Sequence, residues 1–210
     1  MIKIFLFIES GKNTFALSGQ DASDQIRSIL PDIAGYIQTK ALGESPFSGC
    51  AELYFRSREA ADLVSLAELA TLLPESAKIA ASLSGIHRIV MRAPTFFSSE
   101  KVKGVYPFFR KPGMSVGDFQ DHWWYTHGPI AALTEDALAY YQTHPMVSTY
   151  GSSAPDFDGV TEIYWPDMES AEAAVASRQM TEDQASDAQT FVDLDRLTLF
   201  FGLEEIIIAP

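Results

Sequence analysis

The stretch Ser115 to Pro129, Ser-Val-Gly-Asp-Phe-Gln-Asp-His-Trp-Trp-Tyr-Thr-His-Gly-Pro, concentrates reactive and aromatic side chains. Ser115 followed by Asp118 approximates a capping box and predicts a helix, which Gly128-Pro129 should end. Phe119, Trp123 and His127 fall at i, i+4 and i+8 and share one face, drifting only about 40° per step. His127 is then expected in the last turn, where its ring can reach past the helix end into a cavity. There the helix C-terminus favours the imidazolium and burial favours the neutral ring. The two effects oppose and predict a pKa near neutrality, the useful range for a general acid or base. A plainer reading takes Phe119 and Trp123 as packing residues and His127 as a group that closes the helix on a carbonyl.

The other histidines offer less. His122 should lie on a different face, about 140° from His127 on an ideal helix, and be solvated, so the two are not expected to share a metal. His144 precedes Pro145 at a strand end and reads as exposed. His87 stands alone.

A second set of candidates comes from alternation along strands. Ala51, Leu53 and Phe55, with Thr161, Ile163 and Trp165, suit contact with helices. Glu52, Tyr54, Glu162 and Tyr164 then point the other way, into an interior. A buried carboxylate beside a phenol is costly unless paired. Such groups either form a polar site within an apolar chamber or are satisfied by backbone or Arg partners.

The elements that must position these residues occur twice. Phe47-Ser-Gly-Cys-Ala-Glu-Leu-Tyr-Phe55 aligns with Phe157-Asp-Gly-Val-Thr-Glu-Ile-Tyr-Trp165, and each is followed by an Ala- and Glu-rich helical stretch. Ile37-Gln-Thr-Lys40 similarly resembles Tyr141-Gln-Thr-His144, and Met91-Arg-Ala-Pro94 resembles Ile207-Ile-Ala-Pro210. In the later half, strands are predicted over Gly104–Arg110, Tyr140–His144, Gly159–Trp165 and Leu197–Ile208, with helices over Val116–His127 and Glu169–Arg178. That order is βαββαβ, the ferredoxin-like motif, with both helices on one face of an antiparallel sheet. The expected fold class is therefore α+β, with two tandem ferredoxin-like repeats, residues 1–94 and 103–210, joined by a linker over 95–102. Their bare sheet faces should pack face to face and leave a barrel-like chamber.

Composition narrows the function classes. A net charge of −13 leaves no basic surface for nucleic acid. The single cysteine, Cys50, excludes an intrachain disulfide and a thiolate metal cluster and suits a reducing compartment. The apolar start, Met1 to Ile8, contains Lys3 and stops at Glu9, so a first strand is expected rather than a leader. No run reaches the ~18 apolar residues that span a bilayer, and a cytoplasmic protein without membrane contact is expected. Neither a phosphate-binding Gly loop nor a G-x-S-x-G elbow is present.

The later half resembles a known family. Lys103-Gly-Val-Tyr-Pro-Phe-Phe-Arg-Lys-Pro-Gly-Met-Ser, then Phe119-x-x-x-Trp123-x-x-x-His127-Gly128-Pro129, is similar to the EthD family of the dimeric α+β-barrel superfamily. Asp158-Gly-Val-Thr-Glu-Ile-Tyr-Trp, Phe191-Val-Asp193 and Phe200-Phe-Gly-Leu-Glu-Glu205 extend the likeness. Residues 1–94 look like a degenerate copy that lacks the F-x-x-x-W-x-x-x-H-G motif. The resemblance implies an intramolecular version of the family's dimer, with one competent site per chain and no cofactor or metal. It also implies a role in the metabolism of hydrophobic or aromatic compounds.

The expected activity is proton transfer on a small hydrophobic or phenolic molecule, of isomerase, dehydratase or other lyase type. His127, Glu162 and Tyr164 are the expected catalytic residues, and Tyr106, Phe108, Trp123, Tyr54 and Glu52 the expected substrate contacts. A carrier protein and a cofactor-free monooxygenase stay open as alternatives, a haem protein stands last, and the fused unit could pair again as a homodimer.

Overall fold

A computed structural model describes residues 1–9, 20–73, 77–94, 96, 101–151 and 153–210. Most of the expected linker, residues 95 and 97–100, lies outside these described residues. Among the described residues, eight strands combine with helices: β1 (Ile2–Glu9), α1 (Gln20–Ile29), β2 (Ile33–Ala41), β3 (Phe47–Phe55), α2 (Arg58–Asp62), α3 (Leu66–Ala70) and β4 (Ile79–Arg92) in the first half. The second half contains β5 (Val102–Phe108), α4 (Val116–His122), α5 (Gly128–Ala131), β6 (Ala139–Pro145), β7 (Gly159–Trp165), α6 (Met168–Ala176), α7 (Ala185–Phe191) and β8 (Phe200–Ile208).

All the strand pairs are antiparallel, and the ring runs β1-β3-β2-β8-β5-β7-β6-β4. Within each half the sheet order is fourth, first, third, second, which is the ferredoxin-like arrangement. The two sheets do more than face each other: ladders β2–β8 and β4–β6 join their edges, so the barrel is closed. Closure removes the edge strands that would otherwise invite aggregation.

Strands buried on both faces explain the near-continuous apolar runs such as Ile2–Ile8. Ile4, Leu6, Leu53 and Phe55 point outward and pack with Ile26, Leu30, Leu69 and Leu72 from beneath α1 to α3. Those side chains fill the layer between sheet and helices in the first half.

The interior is filled over most of its length, and open space remains at one end. The opposite end is filled by Phe5, Phe7, Phe47, Phe157 and Phe200. The middle holds a ring of charges, all with side chains 0% exposed. The register explains the ring, because Lys3 lies opposite Tyr54 in β1–β3 and Lys103 lies opposite Tyr164 in β5–β7. Lys3 Nζ reaches Glu52 at 2.6 Å in its own half and Glu162 at 2.6 Å across the barrel. Lys103 pairs with Glu162 at 2.7 Å, with Glu52 across the barrel, and with Glu204 at 3.0 Å. The charged partners of Glu52 and Glu162 are thus two lysines rather than Arg, and the Thr39 and Tyr54 hydroxyls also donate to Glu52.

Three carboxylates face two ammonium groups, so one proton neutralises the set. Burial pushes both Glu52 and Glu162 up, but the lysines win at Glu52, which is held well below the ordinary carboxylate range. At Glu162 burial and the neighbouring Glu52 prevail, and its pKa is raised. Removing one member of such a ring leaves uncompensated buried charge. K103M is expected to lower unfolding free energy by about 3–5 kcal/mol in urea titration; a loss below about 1 kcal/mol would mean the carboxylates find other partners.

Candidate functional site

The cavity with the right chemistry lies outside the barrel, between the second sheet and its helices. Its volume is about 220 Å³. Tyr106 and Phe108 of β5, Tyr140 of β6, and Thr161 and Ile163 of β7 form the floor. Trp123 and His127 supply one wall, and Met180, Ala185, Ala188 and Phe191 the other.

The helix carrying His127 departs from the expected form. Ser115 caps α4, its hydroxyl accepting from the Asp118 N–H at 3.1 Å. Trp123–His127 then forms a π-helical turn, in which the Gly128 N–H reaches back to the Trp123 carbonyl. The helix resumes as α5, so Gly128-Pro129 does not end it and His127 sits in mid-helix. Pro129 supplies no N–H, and Pro is well placed at the start of the resumed helix. The Gln142 amide also donates to the Trp123 carbonyl at 3.1 Å. Such wide turns recur at functional sites.

The wide turn also corrects the geometry expected for the two histidines. On a regular α-helix positions five apart diverge, but the π turn brings His122 and His127 toward one partner. His127 Nδ1 lies 2.8 Å from Asp187 Oδ2, and His122 Nε2 lies 2.9 Å from Asp187 Oδ1. His122 is therefore half-buried and hydrogen-bonded rather than solvated. Asp187 lies on α7, which follows a second π turn over Gln179–Gln184. That helix was absent from the sequence-based reading, and Asp187 with it. Met180, Gln184, Ala185, Ala188 and Phe191 around it form a patterned stretch that could have signalled the wall.

A carboxylate only accepts, so Nδ1 of His127 carries the proton and Nε2 is left bare. Nε2 has no protein partner among the described residues, and its ring borders the cavity. Burial lowers the His127 pKa below its usual value, and the bond and charge of Asp187 only partly offset this. The pKa falls on the neutral-imidazole side of the balance expected from sequence. On the floor, the Tyr106 hydroxyl is buried without a hydrogen-bond partner among the described residues. Burial raises its pKa, so it remains a neutral donor. The Tyr140 hydroxyl accepts from the Gln142 amide at 3.1 Å.

Among the residues expected to form the site, the structure brings together His127, Tyr106, Phe108 and Trp123. Glu162, Tyr164, Glu52 and Tyr54 lie on the opposite face of the sheets, inside the barrel and away from His127. Alternation along β5 and β7 separates them: Tyr106 and Thr161 face the helices, whereas Lys103 and Glu162 face inward. Tyr54 and Tyr164 donate to Glu52 and Glu204 respectively. His144 is buried rather than exposed, stacks on Trp123 at 4.1 Å, and lies 2.8 Å from Gln142 Oε1.

Trp123 fits because Gly159 leaves room for it: a Cβ there would stand 2.6 Å from the Trp123 ring. G159A is expected to displace that wall and destabilise the fold by about 1–3 kcal/mol. Unchanged thermal melting and near-ultraviolet dichroism would contradict this.

Residues 111–195 match the family model of the EthD domain. The likeness to the EthD domain is confined to that segment of the second half. The segment contains the whole His122–Asp187–His127 set and the helical wall, while β5 and β8 flank it. An EthD family protein from Bacillus halodurans C-125 shows 25% identity over 49% of this chain and 96% of its own, with a TM-score of 0.40. Chlorite dismutase from Candidatus Nitrospira defluvii, solved as a variant with cyanide, extends over 97% of this chain and 90% of its own at 11% identity and a TM-score of 0.57. An anthrone oxidase-like protein extends over 98% and 92% at 10% identity, also with a TM-score of 0.57. These two likenesses are of fold, the dimeric α+β-barrel fold over both halves. No curated protein sequence matches the chain.

Among the described residues, no group of three or more His, Cys, Asp or Glu is arranged to hold a metal ion. Haem would need a larger space: about 220 Å³ is below the roughly 300–1,000 Å³ of pockets that enclose drug-sized ligands. Among the described residues, no helix is long and apolar enough to cross a membrane.

Proposed function

We propose that the EthD half is a cofactor-independent acid–base catalyst acting on a small hydrophobic cyclic or aromatic molecule, of isomerase, dehydratase or related lyase type. The observation that carries this reading is the pairing of a bare His127 Nε2, its ring oriented by Asp187, with the unpartnered Tyr106 hydroxyl in one apolar pocket. A neutral imidazole takes a proton from an activated C–H. The phenol donates to the oxygen on which negative charge develops, an arrangement that favours the transition state in a dry site. The imidazolium then returns its proton to another position or to a leaving hydroxide, so no external reductant or oxidant is required. Asp187 stabilises the imidazolium in between.

The first half lacks the F-x-x-x-W-x-x-x-H-G motif, which supports one site per chain. The test is solvent deuterium exchange followed by NMR, with cyclic enones, lactones and polycyclic phenols as substrates. Incorporation at the carbon next to the carbonyl, dependent on His127, is the expected result. Absence of exchange in every compound that binds would favour a carrier. Oxygen uptake with the same phenols would instead favour the monooxygenase reading suggested by the anthrone oxidase-like neighbour's name.

A further inference from the structure

A second cavity, about 330 Å³, opens at the end of the barrel away from the Phe cluster. It lies back to back with the EthD pocket, since Tyr140 and Ile163 line one and their strand neighbours Tyr141 and Tyr164 the other. Aromatic rings enclose it: His87 stands edge-on to Tyr54 at 5.6 Å and to Tyr141 at 5.0 Å, and Phe96 stands edge-on to Tyr164 at 4.9 Å. No function described above uses it.

Its unspent polar groups are few and spatially ordered. His87 Nδ1 is buried with no hydrogen-bond partner among the described residues, and the Tyr141 ring lines the cavity beside it. At the rim, Arg92 rests over the Phe96 ring at 5.7 Å and spends one N–H on the Phe96 carbonyl at 3.4 Å. Its remaining donors are free among the described residues. A cation is a poor occupant. The Tyr54 and Tyr164 rings already lie under Lys3 and Lys103 at 4.8 and 5.2 Å, and Arg92 stands at the entrance. An apolar, flat molecule with an anionic end toward Arg92 and a hydroxyl toward His87 satisfies both of these groups. Buried polar atoms left unpaired penalise the empty state, so the hydroxyl contact adds to affinity.

We propose that this barrel-mouth cavity is a second binding site, for a small hydroxylated aromatic monocarboxylate, with Arg92 receiving the carboxylate and His87 the hydroxyl. The site is independent of the EthD pocket, and its test does not require the proposed activity. 4-Hydroxybenzoate is titrated calorimetrically into the full chain and into R92M, H87F and H127A, each first checked for an unchanged melting curve. Binding to the wild type and to H127A with equal affinity, weakened at least tenfold in R92M and measurably in H87F, is expected. 4-Hydroxybenzyl alcohol, which lacks the carboxylate, should bind at least tenfold more weakly. The proposal is overturned if the wild type does not bind, if H127A loses binding while R92M retains it, or if the alcohol binds as tightly as the acid.

Discussion

H127A is expected to lower turnover by about 10²-fold or more while leaving the melting curve within experimental error of the wild type. The ring lines a cavity rather than filling a core, and its nearest polar partner, Asp187, keeps a bond to His122. D187N should retain the fold and lose about 10- to 100-fold, because an amide can present its N–H to Nδ1 and select the wrong tautomer. A pH profile separates the base from a packing residue. The His127 pKa is lowered by burial and partly restored by Asp187. The acidic limb of kcat/KM should therefore lie below the pH at which an ordinary histidine titrates. Without the carboxylate the restoring contribution is gone, so the acidic limb in D187N should move to still lower pH. An unmoved limb would mean that another group titrates.

Stability should collapse on mild acidification. Burial drives the His144 pKa down to about 3 and, with the charge on Lys3, the His87 pKa down to about 2. In the unfolded chain both titrate near 6.5, so between pH 6.5 and 4.5 the unfolded state holds the extra protons. These two contributions are fully present above 6.5 and are lost as pH falls, by about 1.4 kcal/mol per pH unit for each ring. His127 adds in the same direction. Glu162, whose pKa is raised, opposes with one proton between 4.5 and its folded value. A net slope of about one to two protons is expected in urea titrations across this window. H144Q should reduce it by one proton, and a flat profile would show that the rings are hydrated in solution.

How much of this was legible in the sequence varies from residue to residue. The internal repeat and the βαββαβ order specified the barrel, and alternation placed Glu52, Tyr54, Glu162 and Tyr164 on the inward face. Grouping those four with His127 failed, because a helix packed on the outer face of a sheet cannot present a side chain to the inner face. The signal for the ion ring was a lysine set in an otherwise apolar strand, twice, at Lys3 and Lys103. Its partners required the cross-barrel register, which no local pattern contains. Asp187 was hidden for a different reason. Two π turns shift the facing of His127 and of the helix that carries Asp187, and the 3.6-residue period used to compare helix faces does not hold across them.

The most direct trial of the central claim is to fill the pocket without touching its reacting groups. In A188W, an indole on α7 would occupy the space between Phe191 and the sheet floor, leaving His127, Asp187 and Tyr106 in place. With deuterium exchange and ligand titration as readouts, a folded A188W protein should lose both by at least about 10²-fold. A folded variant that still exchanges and binds as the wild type does would place the chemistry elsewhere in the molecule.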